Sequence, residues 1–417
     1  MINQNNTPAI YFKSLSIENV RCFKEEQIID FTDKNGEPTQ WTVILGNNNT
    51  GKTTLLRVLA DLELEEEEHD SNNFHIPKGK WLSSIYKYNR RFNVKLSFFP
   101  NPNQLYSSIY SEKNEKSGWL FHKAIEFSSH KLIYENTHII KYGVLKITNE
   151  NSSFINNSGF IENEFLINSE EWLIQTDYAV KNGIKKAEKR LKKIKEVLKN
   201  ILPDVQAFRF QTNEKTFQSY VEVQTDYGWV RINELGYGYQ TLMAWVVDLA
   251  KKMFDRYPNS DEPLKEPAIV LVDELDLHLH PEWQRKIISW LSHHFPSVQF
   301  IVTAHSPLLV QSADSVNVVL LRKEGDKVKI EQPKISTFKG WTVEEILSDL
   351  MGLDNRTHSE AYLELIKDFD EALDVDNYVK AKVAFDELDK ILHPTSPQRK
   401  LLKLQMTSII PEEPVEI

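Results

Sequence analysis

The eight residues Gly46-Asn47-Asn48-Asn49-Thr50-Gly51-Lys52-Thr53 restrict this chain more than anything else in it. They fit G-x-x-x-x-G-K-[ST] at every fixed position. The flanks agree with the motif. An apolar strand is predicted at Trp41 to Leu45. A helix is predicted from Lys52 to about Leu62, with Leu55, Leu56, Leu59 and Ala60 along one side. Such a loop wraps its backbone N–H groups around phosphates, and the helix N-terminus behind it adds positive potential. Lys52 is expected to neutralise the β- and γ-phosphates of a nucleotide. Thr53 is expected to hold Mg²⁺, with Thr54 next on the same turn.

The chain has 417 residues, with 50 Lys+Arg against 60 Asp+Glu, hence a net charge of −10. Hydrophobic content of 41% and charged content of 26% fit a folded globular protein of two to three domains. No apolar run approaches the ~18–20 residues that a membrane span needs, and no basic-then-apolar stretch opens the sequence as a signal peptide would. Cys22 is the only cysteine, so neither an intrachain disulfide nor a cysteine-rich zinc site can form. The expected location is cytoplasmic. The acidic balance rules out a protein that is basic throughout, but it leaves room for a local basic patch.

Read along its length, the chain divides into four stretches. Residues 1–62 alternate strand, turn and helix, with Phe12 to Val20 as an opening strand. Residues 63–203 begin with an acidic run (Glu63, Glu65 to Glu68), pass through Asn/Ser-rich sequence read as loops from Asn149, and end in an amphipathic helix. In that helix Ile184, Ala187, Leu191, Ile194, Leu198 and Ile201 step by three and four residues, and Pro203 stops it. Its remaining surface carries nine Lys/Arg against two Glu between Lys181 and Lys199. That face could track a phosphate backbone, contact an acidic partner, or simply be solvated. Residues 204–335 read as the C-terminal lobe of the domain that residues 1–62 begin. Within it 205–310 read as alternating strands and helices, with near-continuous apolar strands at Ala268 to Val272 and Phe300 to Thr303. Residues 336–417 read as helices, opening with a capping box at Thr342-Val343-Glu344-Glu345 and ending in a frayed PEEPVEI tail.

Two further motifs follow the phosphate loop. The strand Ala268 to Val272 ends in Asp273-Glu274, which fits a Mg²⁺-associated Asp followed by a base for an attacking water. The next apolar strand ends in Thr303-Ala304-His305-Ser306, which puts His305 where it can sense a γ-phosphate. His278 and His280 are two residues apart, but no cluster of further transition-metal ligands lies near them in sequence, so a bound transition metal is not expected there.

Together these residues resemble the ABC-type ATPases of the SMC/RecF/OLD group. Leu15-Ser16-Ile17-Glu18-Asn19-Val20-Arg21-Cys22-Phe23 resembles the group's L-x-I-x-N-[FY]-R-x-F opening, with Val20 in place of the aromatic. Asp273-Glu274-Leu275-Asp276-Leu277-His278-Leu279-His280-Pro281 resembles its D-E-x-[DE]-x-x-L-H-P stretch. The resemblance implies an α/β fold: a P-loop NTPase with an ABC-type head, an inserted α+β subdomain at 63–203 and a C-terminal helical region. It also implies ATP and Mg²⁺ as cofactors, Lys52, Glu274 and His305 as catalytic residues, Thr53 and Asp273 as magnesium ligands, and a homodimer or higher homo-oligomer closing around ATP.

The group's signature loop, L-S-x-G-x-Q, falls on Leu235-Gly236-Tyr237-Gly238-Tyr239-Gln240, with Gly236 where a Ser is usual. One hydroxyl donor to the partner's phosphate is therefore missing, which implies slow or conditional hydrolysis. About 110 residues follow His305, too few for a Toprim nuclease beside the helices, and Asp374-Val375-Asp376 reads as a helix junction. The helical tail resembles that of stand-alone anti-phage defence ATPases of the Septu and retron-associated kind, in which a separate nuclease of HNH or Toprim type is the partner. A RecF-like repair ATPase and a non-hydrolysing nucleotide sensor are the alternatives. Phe12, Phe23 and Phe31 are candidates for stacking on adenine.

Overall fold

The computed structural model describes residues 9–61, 93–99, 106–114, 118–126, 139–142, 145–147, 154–156, 166–202, 204–335, 337–353 and 358–409. The acidic run at Glu63 and Glu65 to Glu68 and the tail from Pro411 lie outside them. The chain forms two compact units, residues 1–343 and 344–417.

The first unit is organised by a six-stranded sheet. Its strands are β3 (Trp41–Gly46), β7 (Ile139–Tyr142), β13 (Ala268–Val272), β14 (Val298–Ala304), β15 (Asn317–Glu324) and β16 (Lys327–Glu331), in the order β16-β15-β3-β14-β13-β7. All neighbours are parallel except the β15–β16 edge pair. Every residue of β3, β13 and β14 is buried, which explains why these segments read as unbroken apolar runs.

A second, antiparallel sheet is ordered β2-β1-β4-β5-β6, from β1 (Tyr11–Glu18), β2 (Gln27–Asp30), β4 (Asn93–Phe99), β5 (Tyr106–Asn114) and β6 (Gly118–Glu126). Residues 63–203 thus contribute strands to both sheets, since β4 pairs with β1 and β7 with β13. They also hold a short antiparallel pair, β8 (Leu145–Ile147) with β9 (Phe154–Asn156), so the stretch read as loops from Asn149 includes a strand. Between the sheets lies α1 (Lys52–Asp61). Its Leu55, Leu56, Val58 and Leu59 pack with Leu15 and Ile17 of β1 and with Ile269, Leu271 and Ile301. Phe12, Phe23 and Phe31 belong to this same core and are fully buried. They have no face left for an adenine, and burial of large apolar area overrides the stacking reading. Buried Gln299 stitches the two sheets together. It accepts from the Phe12 amide at 2.8 Å and donates to the Phe12 carbonyl at 3.0 Å.

The amphipathic stripe read within 181–202 belongs to a single helix, and a glycine separates that helix from the one before it. α2 (Ser169–Lys181) ends at Asn182 and at Gly183, whose φ of +79° makes the left-handed stop that glycine provides cheaply. α3 (Lys185–Ile201) then buries Ala187, Leu191, Ile194, Val197, Leu198 and Ile201. Ile184, first of the predicted stripe, is the helix cap and is exposed. Much of the basic face is paired: Lys189 with Asp261, Arg190 with Asp255, and Lys193 with Glu262.

Residues 205–235 are not alternating strand and helix. They form an antiparallel sheet, β10 (Ala207–Thr212), β11 (Ser219–Thr225) and β12 (Gly228–Arg231). A 20-residue helix, α4 (Tyr237–Arg256), follows. Two short helices, α5 (Pro281–Gln284) and α6 (Ile287–His294), connect β13 to β14, and α7 (Pro307–Gln311) follows β14.

The second unit holds a π-helical turn at Ile346–Leu350 and helices α8 (Glu360–Asp374), α9 (Tyr378–Ile391) and α10 (Pro397–Thr407). The three helices pack around Phe369, Ala381, Ala384, Leu388, Leu402 and Met406. Asp374 ends α8, and Val375 and Asp376 form the turn to α9, as a helix junction requires.

Candidate functional site

In the core sheet, β14 lies between β3 and β13, and all three run the same way. Their carboxyl ends therefore converge. That end of an open α/β sheet is where ligands bind, because loops diverge there and leave a crevice. Residues 46–53, Asp273-Glu274 and His305 all follow these three ends.

The loop after β3 is held by its own backbone and by the neighbouring segment at Arg21 to Phe23. Asn49 and Gly51 take φ of +64° and +93°. A Cβ on Gly51 would sit 2.6 Å from Cys22 Sγ and 3.0 Å from the Phe23 ring, so only glycine allows this close approach. Asn47, Asn48 and Asn49 are exposed, while Thr50 is buried and donates through Oγ1 to the Asn47 carbonyl at 2.8 Å. Lys52 is buried, and its Nζ donates to the carbonyls of Gly46 at 2.8 Å and Asn47 at 3.0 Å. Burial pulls the Lys52 pKa down, against the pull of Asp273, Glu274 and Asp276, which favour the charged form. Thr54 is buried behind it.

The magnesium ligands expected from sequence are adjacent: Thr53 Oγ1 donates to Asp273 Oδ2 at 2.8 Å. A hydroxyl and a carboxylate oxygen side by side suit a hard, oxygen-seeking cation such as Mg²⁺, which completes its shell with phosphate oxygens and water. The other Asp273 oxygen accepts from Thr303 Oγ1 at 2.5 Å, and that same hydroxyl accepts the Glu274 amide at 2.7 Å. Glu274 has φ of +54°, a left-handed conformation that a non-glycine residue keeps only when its surroundings impose it. His305 follows β14 directly, and its amide donates to Asp276 Oδ2 at 2.9 Å. The second Asp276 oxygen is buried with no hydrogen-bond partner among the described residues.

Residues 235–240 are less loop-like than the sequence reads. Leu235 and Gly236 precede α4, and Tyr237 to Gln240 form its first turn. Gly236 and Tyr237 are exposed. The turn packs on residues 276–283: a Cβ on Gly238 would lie 2.8 Å from the His278 carbonyl, Tyr237 meets the His278 ring at 4.6 Å, and Tyr239 meets Trp283 at 4.4 Å. Gln240 Nε2 donates to the Leu235 carbonyl at 2.7 Å. His280 caps α5 rather than facing His278, its Nδ1 accepting from the Glu282 amide at 3.3 Å.

The sequence reading gave no part to Thr303, Asp276 or Gln284, although all three lie in or beside quoted motifs. Thr303 was detectable in principle, as a polar residue in an otherwise apolar strand two positions before His305. Gln284 carried no local signal, because its partners are 5 to 22 residues away.

With this geometry in place, comparison with known proteins is decisive. Residues 41–311 match the family described as "AAA domain, putative AbiEii toxin, Type IV TA system". The chain belongs to this family. The matched span includes the loop at 46–53, the turn at 235–240, the Asp273 to His280 stretch and His305. This AAA-domain chain also has curated relatives. The Septu protein PtuA of Bacillus thuringiensis is 41% identical over 190 residues, 44% of this chain and 48% of that protein. The Septu protein PtuA of Bacillus mycoides (strain KBAB4) is 28% identical over 359 residues, 83% of this chain and 46% of that protein. The Retron Ec83 probable ATPase of Escherichia coli is 38% identical over 136 residues, 33% of this chain and 24% of that protein. The AAA-family chain thus spans about half, or less, of the length of the curated relatives it matches. No helix among its described residues is long and apolar enough to cross a membrane.

Proposed function

We propose that this protein binds ATP with Mg²⁺, hydrolyses it slowly, and dimerises around it to control a separate effector nuclease in bacterial anti-phage defence. The observation that carries the reading is the joining of Thr53, Asp273, Thr303 and Glu274 by three hydrogen bonds across the ends of β3, β14 and β13. The Septu and retron names of its relatives support the defence role and the partner effector.

In this reading the amides of 46–53 and Lys52 bind the phosphates. When the nucleotide leaves the carbonyls of Gly46 and Asn47 in competition with phosphate oxygens, the charged Lys52 has the stronger acceptors available and turns to them. Thr53 and Asp273 would hold Mg²⁺, which would supply charge neutralisation to the transferring phosphoryl group. Glu274 takes the proton from the attacking water, with its backbone fixed by Thr303. His305 faces the γ-phosphate. Residues 235–240 of a second copy cap the phosphate from the other side, through the N-terminus of α4.

Gly236 supports the slow rate and also favours a second reading, a nucleotide sensor that binds without turnover. A hydroxyl bond to a charged acceptor contributes about 1.5–3 kcal/mol, and this site lacks it. Weak, sequence-independent DNA contact remains open to the exposed Lys185, Lys186, Lys192 and Lys199, the part of the basic face without an acidic neighbour in the ion pairs above.

Glu274→Gln tests the hydrolytic reading. ATP should stay bound and an ATP-dependent dimer should accumulate. Turnover at the wild-type rate would remove Glu274 as the base. A wild-type chain with binding but no single-turnover hydrolysis would leave the sensor.

A further inference from the structure

Asp276, His305, Ser306 and Gln284 form one hydrogen-bonded ring beside the phosphate end, and the turn it braces packs against the first turn of α4. The Gln284 side chain is the last residue of α5 and touches three backbone or side-chain groups. Its Nε2 donates to the Leu279 carbonyl at 3.0 Å and to the Asp276 carbonyl at 3.2 Å, so it spans both ends of the turn after Glu274. Its Oε1 accepts from Ser306 Oγ at 2.7 Å. The two carbonyl acceptors fix which end of the amide is nitrogen, and Ser306 must then be the donor.

Ser306 adjoins His305 and caps α7 by accepting the Leu308 amide at 3.2 Å. Asp276 closes the ring from the other side, since its Oδ2 takes the His305 amide. The turn that Gln284 braces presents the His278 carbonyl to Gly238 with no room for a Cβ between them. His278 is itself held at φ of +64°. A rigid planar amide with a donor at one end and an acceptor at the other can satisfy both only if the His305–Ser306 segment and the 276–279 turn keep one spacing. A shift of either then moves or breaks the other, and the 276–279 turn cannot move without moving the first turn of α4.

We propose that Gln284 is a positioning residue that couples the γ-phosphate end of one site to the Gly236–Gly238 turn offered to the opposite site. This rests on the reading above of His305 as phosphate-facing and of 235–240 as the capping loop. Gln284 touches neither nucleotide nor water; it sets the register between the two elements that do.

The test uses the full chain with Gln284→Ala, Ser306→Ala, the double variant and Ser306→Thr. Fluorescent-ATP binding, ATP turnover, ATP-dependent dimerisation and thermal melting are measured for each. Both alanine variants should bind nucleotide within about twofold of wild type and stay folded at the assay temperature, with melting lowered modestly by the lost Ser306 cap and Gln284 bonds, while turnover and dimerisation fall about ten- to hundredfold, the range expected for a misplaced reacting group. The double variant should lower turnover by clearly less than the product of the two single effects, because both single changes remove the same Gln284–Ser306 bond. Ser306→Thr keeps the hydroxyl and should recover most of the turnover. Multiplying single effects, unchanged turnover, or a parallel fall in melting and nucleotide binding would overturn the coupling. If wild type turns over ATP and Glu274→Gln traps it while Gln284→Ala is silent, only the coupling fails. If wild type neither binds nor hydrolyses ATP, the function fails and the coupling with it.

Discussion

Thr303 holds Asp273 in place from the neighbouring strand: its hydroxyl donates to Asp273 Oδ1 at 2.5 Å and accepts the Glu274 amide at 2.7 Å. The parallel register sets this up, because Val302 pairs with Val272 and the next residue of each strand falls side by side. One hydroxyl therefore fixes the expected magnesium ligand and the backbone of the expected base together.

Thr303→Val keeps the shape and removes the hydroxyl. It leaves a buried carboxylate oxygen and the Glu274 amide without their partner. Stability should fall by about 1–3 kcal/mol, read as a lower urea midpoint with unchanged slope. ATP turnover should fall further than ATP affinity, because Glu274 loses its backbone anchor.

Gly236→Ser restores the hydroxyl usual in the resembling group, and there is space for it. An added Cβ would have Tyr239 Cδ2 at 3.8 Å as its nearest neighbour, an ordinary contact. Serine at the N-cap also suits α4, so stability should change by no more than about a few tenths of a kcal/mol. On a Glu274→Gln background, ATP-dependent association measured by light scattering should tighten, by up to about 1.5–3 kcal/mol per site.

Gly238→Ala should behave in the opposite way. Its Cβ would press on the His278 carbonyl, which is backbone and cannot swing aside. Overpacking of this kind costs about 1–3 kcal/mol. Urea unfolding should show that loss. Nucleotide binding at 46–53 should persist while hydrolysis is lost, since the displaced turn lies between Glu274 and the capping loop.

His294 gives the first unit a pH dependence. It lines a cleft with Lys193, Glu196, Lys199, Asn200, Lys265 and His293. Burial above all, then repulsion from His293 and Lys193, lowers its pKa from 6.5 to about 4. Because the folded pKa lies below the unfolded one, the unfolded chain takes the proton first as pH falls. This contribution to stability is complete above pH 6.5 and is lost progressively towards pH 4. Urea midpoints at pH 7 and pH 5 should differ less for His294→Gln than for wild type. An equal difference would show that other groups carry the dependence.

The phosphate loop, the paired carboxylates, the three apolar strands that carry the site residues and the helical character of the C-terminal region are legible in the residues alone. These are local properties. A loop motif is contiguous, and a strand buried on both faces is mostly apolar, so Trp41 to Leu45, Ala268 to Val272 and Phe300 to Thr303 announce themselves within the longer strands observed. The strand order was settled only by tertiary structure. It puts β14 between β3 and β13 and so turns Thr303 from a strand threonine into the clamp on Asp273. The fold likewise decided that Phe12, Phe23 and Phe31 are core, that Gly183 splits the basic helix from its predecessor, and that Asp255, Asp261 and Glu262 neutralise part of its charge. The reason is the same each time: burial and pairing depend on groups far apart in the chain, and periodicity records only what neighbours along one element share.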